Sequence, residues 1–309
     1  MKGKTAFVTG GASGIGLGIA RALAAHGMNT VIADSRQDAL DEAMVYFGKA
    51  NLRVHPLKLD VTDRAAYTRA ADETEALFGK IHVLVNNAGV AVGGPVQFTS
   101  FKDWDFGVGI NIMGVINGIV IILPRILKHG EEGHIVTTSS TAGITAVGMN
   151  AIYNTTKFAV AGLMETLATD LQGTKVGASV FCPGPVASNL GKSTQANRPE
   201  HLKNDGPPAW RPPPPPSGSG NRPPLFDTSL FMTPEEVGER VLRGIMRQDL
   251  FIFTHPEFKE GVRVRNEALL RAFPDEPDNV KRHELLARFG TLIYNPIYEK
   301  QTTPGPLNG

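Results

Sequence analysis

The stretch Thr9-Gly10-Gly11-Ala12-Ser13-Gly14-Ile15-Gly16 decides the fold of this chain. The apolar run Thr5–Val8 precedes it, and a helical pattern from Leu17 to His26 follows it. Glycines permit a tight turn and let backbone N–H groups approach a pyrophosphate, while the positive end of the following helix dipole favours the anion. Since strand, loop and helix stand in the required order, we predict a dinucleotide site that includes Gly10, Ser13, Gly14, Ile15 and Gly16.

Short apolar runs alternate with helical patterns outward from this motif. Runs that are hydrophobic on both faces and separated by helices are typical of a parallel sheet covered on both sides, with right-handed crossovers. We therefore predict an α/β fold, a doubly wound parallel sheet (Rossmann fold) in a single domain. The runs are Thr5–Val8, Thr30–Ala33, Arg53–Leu59, Val83–Val85, His134–Thr138 and Gly177–Phe181.

The composition changes beyond Asn189. The proline run Pro212–Pro216 is followed by Ser217–Gly220, and such a sequence favours polyproline II and flexible coil. We therefore expect a mobile loop over residues 189–232, which is either a substrate loop or a disordered insertion with no substrate role. Thr233 then has the pattern of a helix N-cap, with Pro234 at the first helical position and a glutamate three residues after the cap, which predicts a helix to about Arg247.

The last part of the chain predicts one more strand, Leu250–Thr254. Two amphipathic helices, Glu257–Ala272 and Asn279–Gly290, and a frayed polar tail follow it. We therefore divide the chain into a dinucleotide-binding catalytic domain, residues 1–255, and a helical C-terminal extension, residues 256–309.

Composition excludes several functional classes. The 31 basic and 30 acidic residues leave a formal net charge of +1 with no long block of either sign, so we expect no nucleic acid and no anionic membrane as partner. The single cysteine, Cys182, excludes an intrachain disulfide framework and a multi-thiolate metal site, so we predict no metal.

The chain also lacks a targeting signal that we can identify, and we expect a cytoplasmic protein. Thr5–Val8 is too short for a signal-peptide core. Gly114–Leu127 is interrupted by Asn117, Pro124 and Arg125 and falls short of a membrane span, so we predict a buried core helix there.

Asp34 ends the second predicted strand, 24 residues after Gly10. A carboxylate there can accept hydrogen bonds from the hydroxyls of an adenosine ribose and would repel a 2′-phosphate, which favours NAD over NADP. Arg36 could in principle accept a 2′-phosphate, although we expect its side chain to be solvated. A helix-capping role remains the alternative for Asp34.

Further cofactor candidates follow the third and fourth strands. Asp60 and Val61 follow the third strand, and Asn87 and Gly89 follow the fourth. Ligands bind at the carboxyl ends of strands in open parallel sheets. Ordinary turn chemistry is the alternative for both pairs.

Ser140, Tyr153 and Lys157 are the candidate catalytic residues. Tyr153 and Lys157 stand four residues apart and share one helix face, while Ser140 follows the fifth strand. A nearby ammonium favours the phenolate, which makes a tyrosine usable as an acid and base, and a serine hydroxyl can bind the substrate oxygen. The alternative is that the tyrosine and lysine merely decorate a surface helix.

Taken in order, these motifs resemble the short-chain dehydrogenase/reductase family over about residues 3–255. The matching positions are Thr9–Gly16, Asp60, Asn86–Gly89, Asn111, Ser140, Tyr153, Lys157 and Pro183–Ser188. In overall layout, including the long tail after Leu250–His255, the chain also resembles bacterial dehydrogenases that oxidise the benzylic Cα alcohol of lignin-derived β-aryl ethers.

The resemblance implies roles for individual residues. It makes Tyr153 the acid and base and Ser140 the residue that polarises the carbonyl, while Lys157 binds the nicotinamide ribose and lowers the pKa of the tyrosine. Asn111 matches the asparagine that supports a proton-relay water. Pro183, Val186 and Ser188 match the loop that fixes the nicotinamide carboxamide, with Val186 acting through its backbone and serine replacing the usual threonine. Family members also usually form dimers or tetramers, so we expect a homo-oligomer.

The expected function is an NAD-dependent oxidoreductase that interconverts a bulky hydrophobic or aromatic secondary alcohol and its ketone. Small and apolar residues around the expected pocket favour such a substrate. An NADPH-linked biosynthetic ketoreductase and a non-catalytic dinucleotide-binding sensor or scaffold are the alternatives. The expected pocket borders are Val90–Pro95, Thr141–Ala142, Ala146–Asn150 and Asn189–Phe231.

Overall fold

The structure, a computed structural model, describes residues 1–205 and 227–307. Within these residues seven strands form one parallel sheet in the order β3-β2-β1-β4-β5-β6-β7, which confirms the predicted doubly wound architecture. The strands are β1 Thr5–Thr9, β2 Asn29–Asp34, β3 Val54–Lys58, β4 Val83–Asn86, β5 Gly133–Thr138, β6 Val176–Cys182 and β7 Phe251–Phe253.

Helices cover both faces of the sheet because side chains alternate along each buried strand. Ala6 and Val8 of β1 face one core, and Phe7 faces the other. The helices are α1 Gly14–Ala25, α2 Gln37–Lys49, α3 Arg64–Phe78, α4 Phe101–Val108, α5 Gly114–His129, α6 Ala151–Asp170, α7 Leu190–Ala196, α8 Pro234–Arg247, α9 Lys259–Arg271 and α10 Val280–Ala287. Helices α1, α2 and α8 contribute to the first core, and α3, α5 and α6 to the second.

Two glycines bring α1 and α8 into backbone contact. A Cβ on Gly18 would collide with the Pro234 carbonyl, and a Cβ on Gly238 would collide with the Gly18 carbonyl. The capping box at Thr233 and Glu236 confirms the predicted start of α8, which ends at Arg247 as expected. This packing fixes α1, whose first turn carries the glycine loop.

The segment Phe101–His129 is helical throughout, because a π turn at Gly109–Met113 joins α4 to α5. It is longer than the predicted core helix, and its length and composition alone would suffice to cross a membrane. Its packing is that of a core helix, however, since Ile122 and Ile126 are fully buried on the second face of the sheet.

The C-terminal extension contains both predicted helices, but the predicted frayed tail is wrong for residues 295–307. Asn295 donates a hydrogen bond to Thr169 of α6 at 2.8 Å. Gln301 both accepts from the Phe251 N–H and donates to the Phe251 carbonyl, so it covers the edge of β7. Thr302 binds the buried carboxylate of Asp249 through its hydroxyl at 2.6 Å. These tertiary contacts order a sequence that has little structural preference of its own.

The described part of the predicted substrate loop is partly helical. Its residues 189–205 contain α7 and a 3-10 turn at Glu200–Leu202, rather than coil alone. The proline run Pro212–Pro216 and the rest of residues 206–226 lie outside the described residues.

Candidate active site

The glycine loop has the shape of an anion cradle. Gly10 and Gly14 have φ values of +61° and +51°, which L side chains rarely adopt. A Cβ on Gly16 would collide with the Gly10 carbonyl and with the Asn87 side chain. The N-terminus of α1 begins at Gly14, immediately after Ser13. The residues present therefore fit a dinucleotide pyrophosphate, because backbone N–H groups and a helix N-terminus meet where side chains would obstruct it.

Asp34 lies at the end of β2, and its side chain faces this loop. One carboxylate oxygen accepts from the Ala12 N–H at 3.4 Å and the other from the Arg36 N–H at 3.1 Å. Burial raises the pKa of Asp34, while the hydrogen bond from the Arg36 N–H and the charge of its guanidinium oppose the shift. The carboxylate is thus placed to accept ribose hydroxyls.

Arg36 is not the solvated side chain that we expected. Its guanidinium donates to the Ser13 hydroxyl at 2.9 Å and lies 3.8 Å from an Asp34 carboxylate oxygen. Its side chain is 27% exposed. A positive charge therefore stands at the ribose end of the cleft, between the glycine loop and β2.

The candidates after β3 and β4 lie beside the glycine loop. Asn87 donates its side-chain amide to the Thr9 and Gly10 carbonyls at 3.2 and 3.3 Å, so it helps to hold the loop. Asp60 is exposed, and its carboxylate accepts from the N–H and hydroxyl of Thr62. Asp60 makes a local turn contact, as the alternative interpretation expected, whereas Asn87 binds the remote glycine loop, and both residues line the cleft.

Tyr153, Lys157 and Ser140 converge at the carboxyl end of β5. The Lys157 ammonium lies 5.6 Å from the centre of the Tyr153 ring and donates to the Thr138 carbonyl at 2.8 Å. The Ser140 hydroxyl accepts from the Ala142 N–H at 3.1 Å, and its interaction with Tyr153 lowers the pKa of the tyrosine, against the larger effect of burial. Lys157 is only 5% exposed. These contacts contradict the alternative in which the tyrosine and lysine merely decorate a surface helix.

The electrostatics of this group depend on burial. Burial raises the pKa of Tyr153, and the interaction with Ser140 partly opposes that shift. Burial also lowers the pKa of Lys157 to about 8. The tyrosine is therefore protonated at neutral pH and can donate to a carbonyl oxygen, whereas its phenolate needs positive charge nearby.

Asn111 lies in the π turn and connects two parts of the site. Its side chain accepts from the Val90 N–H at 2.8 Å and donates to the Val90 carbonyl at 2.9 Å and to the Thr156 hydroxyl at 3.0 Å. Thr156 in turn donates to the Tyr153 carbonyl. Because these partners occupy its amide, the side chain of Asn111 holds the loop after β4 against α6. Single π turns in helices often mark functional sites.

Sequence reasoning missed several residues that hold the site together. Thr9 accepts from the N–H groups of Asn87 and Ala88, and Ser139 donates to the Lys157 carbonyl. Thr138 donates its hydroxyl to Asn87 in addition to accepting from Lys157. All three are polar residues at the carboxyl ends of buried strands, and that position was the available signal.

The segment Pro183–Ser188 closes the site from the side of β6. The Pro183 carbonyl accepts from the Thr141 N–H at 3.0 Å. Val186 forms an isolated bridge with Met232, and a Cβ on Gly14 would lie 3.2 Å from the Ser188 Cβ. The loop therefore spans from the catalytic group to the glycine cradle, as a nicotinamide-binding loop must.

A single cleft of about 710 Å³ contains most of the candidates. Gly16, Asn111, Ser140 and Val186 are not among the residues that line it. Within the described ranges no group of three or more metal-ligating side chains occurs. The candidates that line the cleft are Gly10, Ser13, Gly14, Ile15, Asp34, Asp60, Val61, Asn87, Gly89, Tyr153, Lys157, Pro183 and Ser188.

Two loops near the start of α6 carry exposed apolar side chains. Val96 and Phe98 lie in the loop after β4, and Val147 and Met149 in the loop after β5, with 46–62% of each residue exposed. The Gly94 N–H donates to the Met149 carbonyl at 2.7 Å, so the two loops meet. They form an apolar patch near the start of α6, and none of these four side chains lines the cleft described above.

Comparison with protein families gives a match over most of the chain. A family model described as short chain dehydrogenase matches residues 4–199. A C alpha-dehydrogenase of Sphingobium sp. (strain NBRC 103272 / SYK-6) is 34% identical over 272 residues, which cover 86% of this chain and 85% of that protein.

Solved structures are also similar to this chain along most of its length. The apo form of LigO from Sphingobium sp. strain SYK-6 is 37% identical, with a TM-score of 0.73 and 98% of each chain covered. A short chain dehydrogenase/reductase from Burkholderia phymatum in complex with NAD is 33% identical, with a TM-score of 0.78, and the match covers 90% of this chain and 99% of that one.

Proposed function

The chain belongs to the short chain dehydrogenase family, and from this premise we propose that it interconverts a bulky aromatic secondary alcohol and its ketone with NAD. Family membership makes it an NAD(P)-dependent oxidoreductase. Tyr153 and Lys157 line the same cleft as the glycine cradle and Asp34, and this shared cleft is the observation that carries the proposal.

The bound nicotinamide would supply the hydride acceptor for alcohol oxidation and the hydride donor for ketone reduction. Tyr153 donates the proton of its hydroxyl to the ketone oxygen in reduction and accepts it from the alcohol in oxidation. Ser140 orients the same oxygen through its hydroxyl. Lys157, when protonated, stabilises the phenolate that remains after proton donation, since an opposite charge lowers a tyrosine pKa.

The apolar lining of the cleft supports a bulky substrate. Aryl groups would pack against side chains such as Val90, Phe106 and Leu202 and remove them from water, whereas a small polyol would not. The similarity to a C alpha-dehydrogenase points in the same direction.

A screen of NAD reduction across aryl, steroidal, aliphatic and polyhydroxy secondary alcohols tests this function. We expect the highest kcat/KM for alcohols with two aryl groups. Higher kcat/KM for small polyols would contradict the proposal. Tyr153→Phe should lower kcat/KM by about 10²- to 10⁴-fold, the usual contribution of a general acid and base. Unchanged biological activity in this variant would instead favour a non-catalytic sensor.

An NADPH-linked reductase is a second candidate, because the Arg36 guanidinium lies against Ser13 rather than in solvent. Asp34 opposes it, since a carboxylate repels a 2′-phosphate. The ratio of kcat/KM for NAD and NADP separates the two candidates.

We also propose a cytoplasmic location. The sole cysteine, Cys182, is buried and free, so the chain forms no internal disulfide of the kind that an oxidising compartment favours. Cell fractionation that recovers the protein with the membranes would contradict this location.

A further inference from the structure

Residues 190–205, named here the cover segment, form one wall of the cleft. Ser193 and Asn197 come from α7 and its end, and His201 and Leu202 from the following 3-10 turn. The glycine loop and the end of β2 line the same cleft. Movement of this segment would therefore change access to the cleft.

The cover segment is attached to α4 through Asp103. One Asp103 carboxylate oxygen accepts from Arg198 at 2.7 Å and from the Asn204 amide at 3.0 Å. The other oxygen accepts from the N–H and the hydroxyl of Ser100, both at 2.9 Å. Hydrogen bonds from Ser100, Arg198 and Asn204 hold the pKa of Asp103 below its usual value, although burial opposes them.

Arg198 connects this carboxylate to the rest of the segment. Its Nε donates to the Leu202 carbonyl at 2.8 Å, and its guanidinium lies 5.3 Å from the centre of the Phe106 ring. Leu202 packs against the small apolar cluster that contains Phe106. Arg198 therefore joins the 3-10 turn of the cover segment to α4, while the Thr194 hydroxyl of α7 accepts from the Ala91 N–H at 2.8 Å.

The environment of this ion pair distinguishes it from an ordinary surface pair. The side chains of Arg198 and Asp103 are 18% and 12% exposed. Lys203 and Glu200, a pair within the cover segment itself, are 52% and 86% exposed. Solvent screens the second pair strongly, so it contributes little, whereas the first is screened much less.

We propose that Asp103 and Arg198 form a latch that holds the cover segment against α4, and that the dinucleotide reaches and leaves the cleft after this latch opens. The inference rests on the proposed dinucleotide site. Asp103 and Arg198 are positioning residues, because they act through the cover segment.

A latch predicts a distinctive kinetic pattern. It stabilises the closed segment equally in the free and in the loaded protein, since its partners belong to the protein alone. Weakening it raises the open population in both states by the same factor. Association and dissociation rate constants should therefore rise together, and Kd should change little. Loss of a direct contact with the dinucleotide would instead raise only the dissociation rate constant and Kd.

Asp103→Asn tests this pattern, because it removes the charge and retains the size of the side chain. Stopped-flow fluorescence of NADH measures both rate constants, and we expect each to rise by about threefold to tenfold. Glu200→Gln is the matched control, with the same change of charge within the cover segment, and should leave both unchanged. Arg198→Gln should reproduce Asp103→Asn, and the double variant should add nothing further.

Hydrogen exchange tests the latch without the cofactor. Asp103→Asn should accelerate exchange of residues 190–205 in the ligand-free protein, and Glu200→Gln should not. Unchanged exchange and rate constants in both latch variants would overturn the inference, as would a rise in the dissociation rate constant alone. If the wild-type protein binds neither NADH nor NADPH, the proposed function fails, and hydrogen exchange still decides whether the latch exists.

Discussion

Lys157, a proposed catalytic residue, carries a charge whose burial costs stability. Its ammonium is buried beneath Tyr153 and has one described hydrogen bond, to the Thr138 carbonyl. Burial disfavours the charged form and lowers its pKa to about 8, from 10.5. The unfolded chain therefore binds more protons than the folded protein between these values, and stability rises with pH in that window.

We predict that Lys157→Met removes this dependence. Between about pH 7.5 and 9.5 the free energy of unfolding of the wild-type protein should rise by about 1.5 kcal/mol relative to the variant, because the penalty for burying an ammonium disappears as it deprotonates. Urea denaturation at both pH values measures the difference. Lys128→Met, at an exposed lysine of α5, is the control and should retain the wild-type slope. Equal slopes for the wild-type protein and Lys157→Met would contradict the prediction.

Arg36 gives a second prediction at the residue scale. If its guanidinium binds a 2′-phosphate, Arg36→Ala should lower kcat/KM for NADP by about tenfold or more, since a charge-assisted hydrogen bond contributes about 1.5–3 kcal/mol. The value for NAD should change much less. Initial rates with each cofactor measure both effects. Equal losses for the two cofactors would show that Arg36 supports the glycine loop through Ser13 instead.

At the scale of elements, the contact between α1 and α8 determines how firmly the glycine cradle is held. We predict that Gly238→Ala destabilises the protein by about 1–3 kcal/mol, because the added methyl group would force the two helix backbones apart. Gly48→Ala is the control, since a Cβ there meets nothing within 4 Å near the end of α2. It should be neutral or stabilising. Thermal denaturation compares the two, and similar melting temperatures would contradict the prediction.

The elements also show where sequence reasoning succeeds and fails. The predicted helix after Thr233 and the strands of the sheet agree with the structure within a few residues, because caps and hydrophobic periodicity are local signals. The π turn at Gly109–Met113 has no such signal. It depends on Asn111 finding partners in the loop after β4 and on α6, which are remote in sequence.

At the scale of the whole molecule, apolar surfaces remain without a described partner. Val120 of α5 is 65% exposed, and α6, which contributes to the same core as α5, has exposed Ala159 and Gly162. Helices α9 and α10 bury no residue in the described part of the chain. We propose that a second copy of the chain covers these surfaces, so that the protein is a homo-oligomer.

Light scattering measures this assembly directly. We predict a mass that is a multiple of the 33.1 kDa chain, and a mass near that of one chain would refute the proposal. Val120→Glu should lower the mass at micromolar concentration, because it places a charge in the apolar contact. Val45→Glu, at a position on α2 that is 58% exposed, is the control and should leave the mass unchanged.

The sequence by itself determined the doubly wound sheet, the glycine cradle and the pairing of Tyr153 with Lys157. These features depend on short-range patterns, namely alternating apolar runs, a strand-loop-helix order and a four-residue spacing on one helix face. Each of these patterns is local, so it does not depend on residues elsewhere in the chain.

Only the tertiary structure decided the burial that raises the pKa of Tyr153, the ion pair between Asp103 and Arg198, and the docking of Gln301 and Thr302 at β7 and Asp249. The ion pair and the docking contacts join residues that are distant in sequence, and the burial of Tyr153 depends on the elements that pack around it. Desolvation and long-range hydrogen bonds have no periodic signature, so they arise only once the sheet and its helices bring these side chains together.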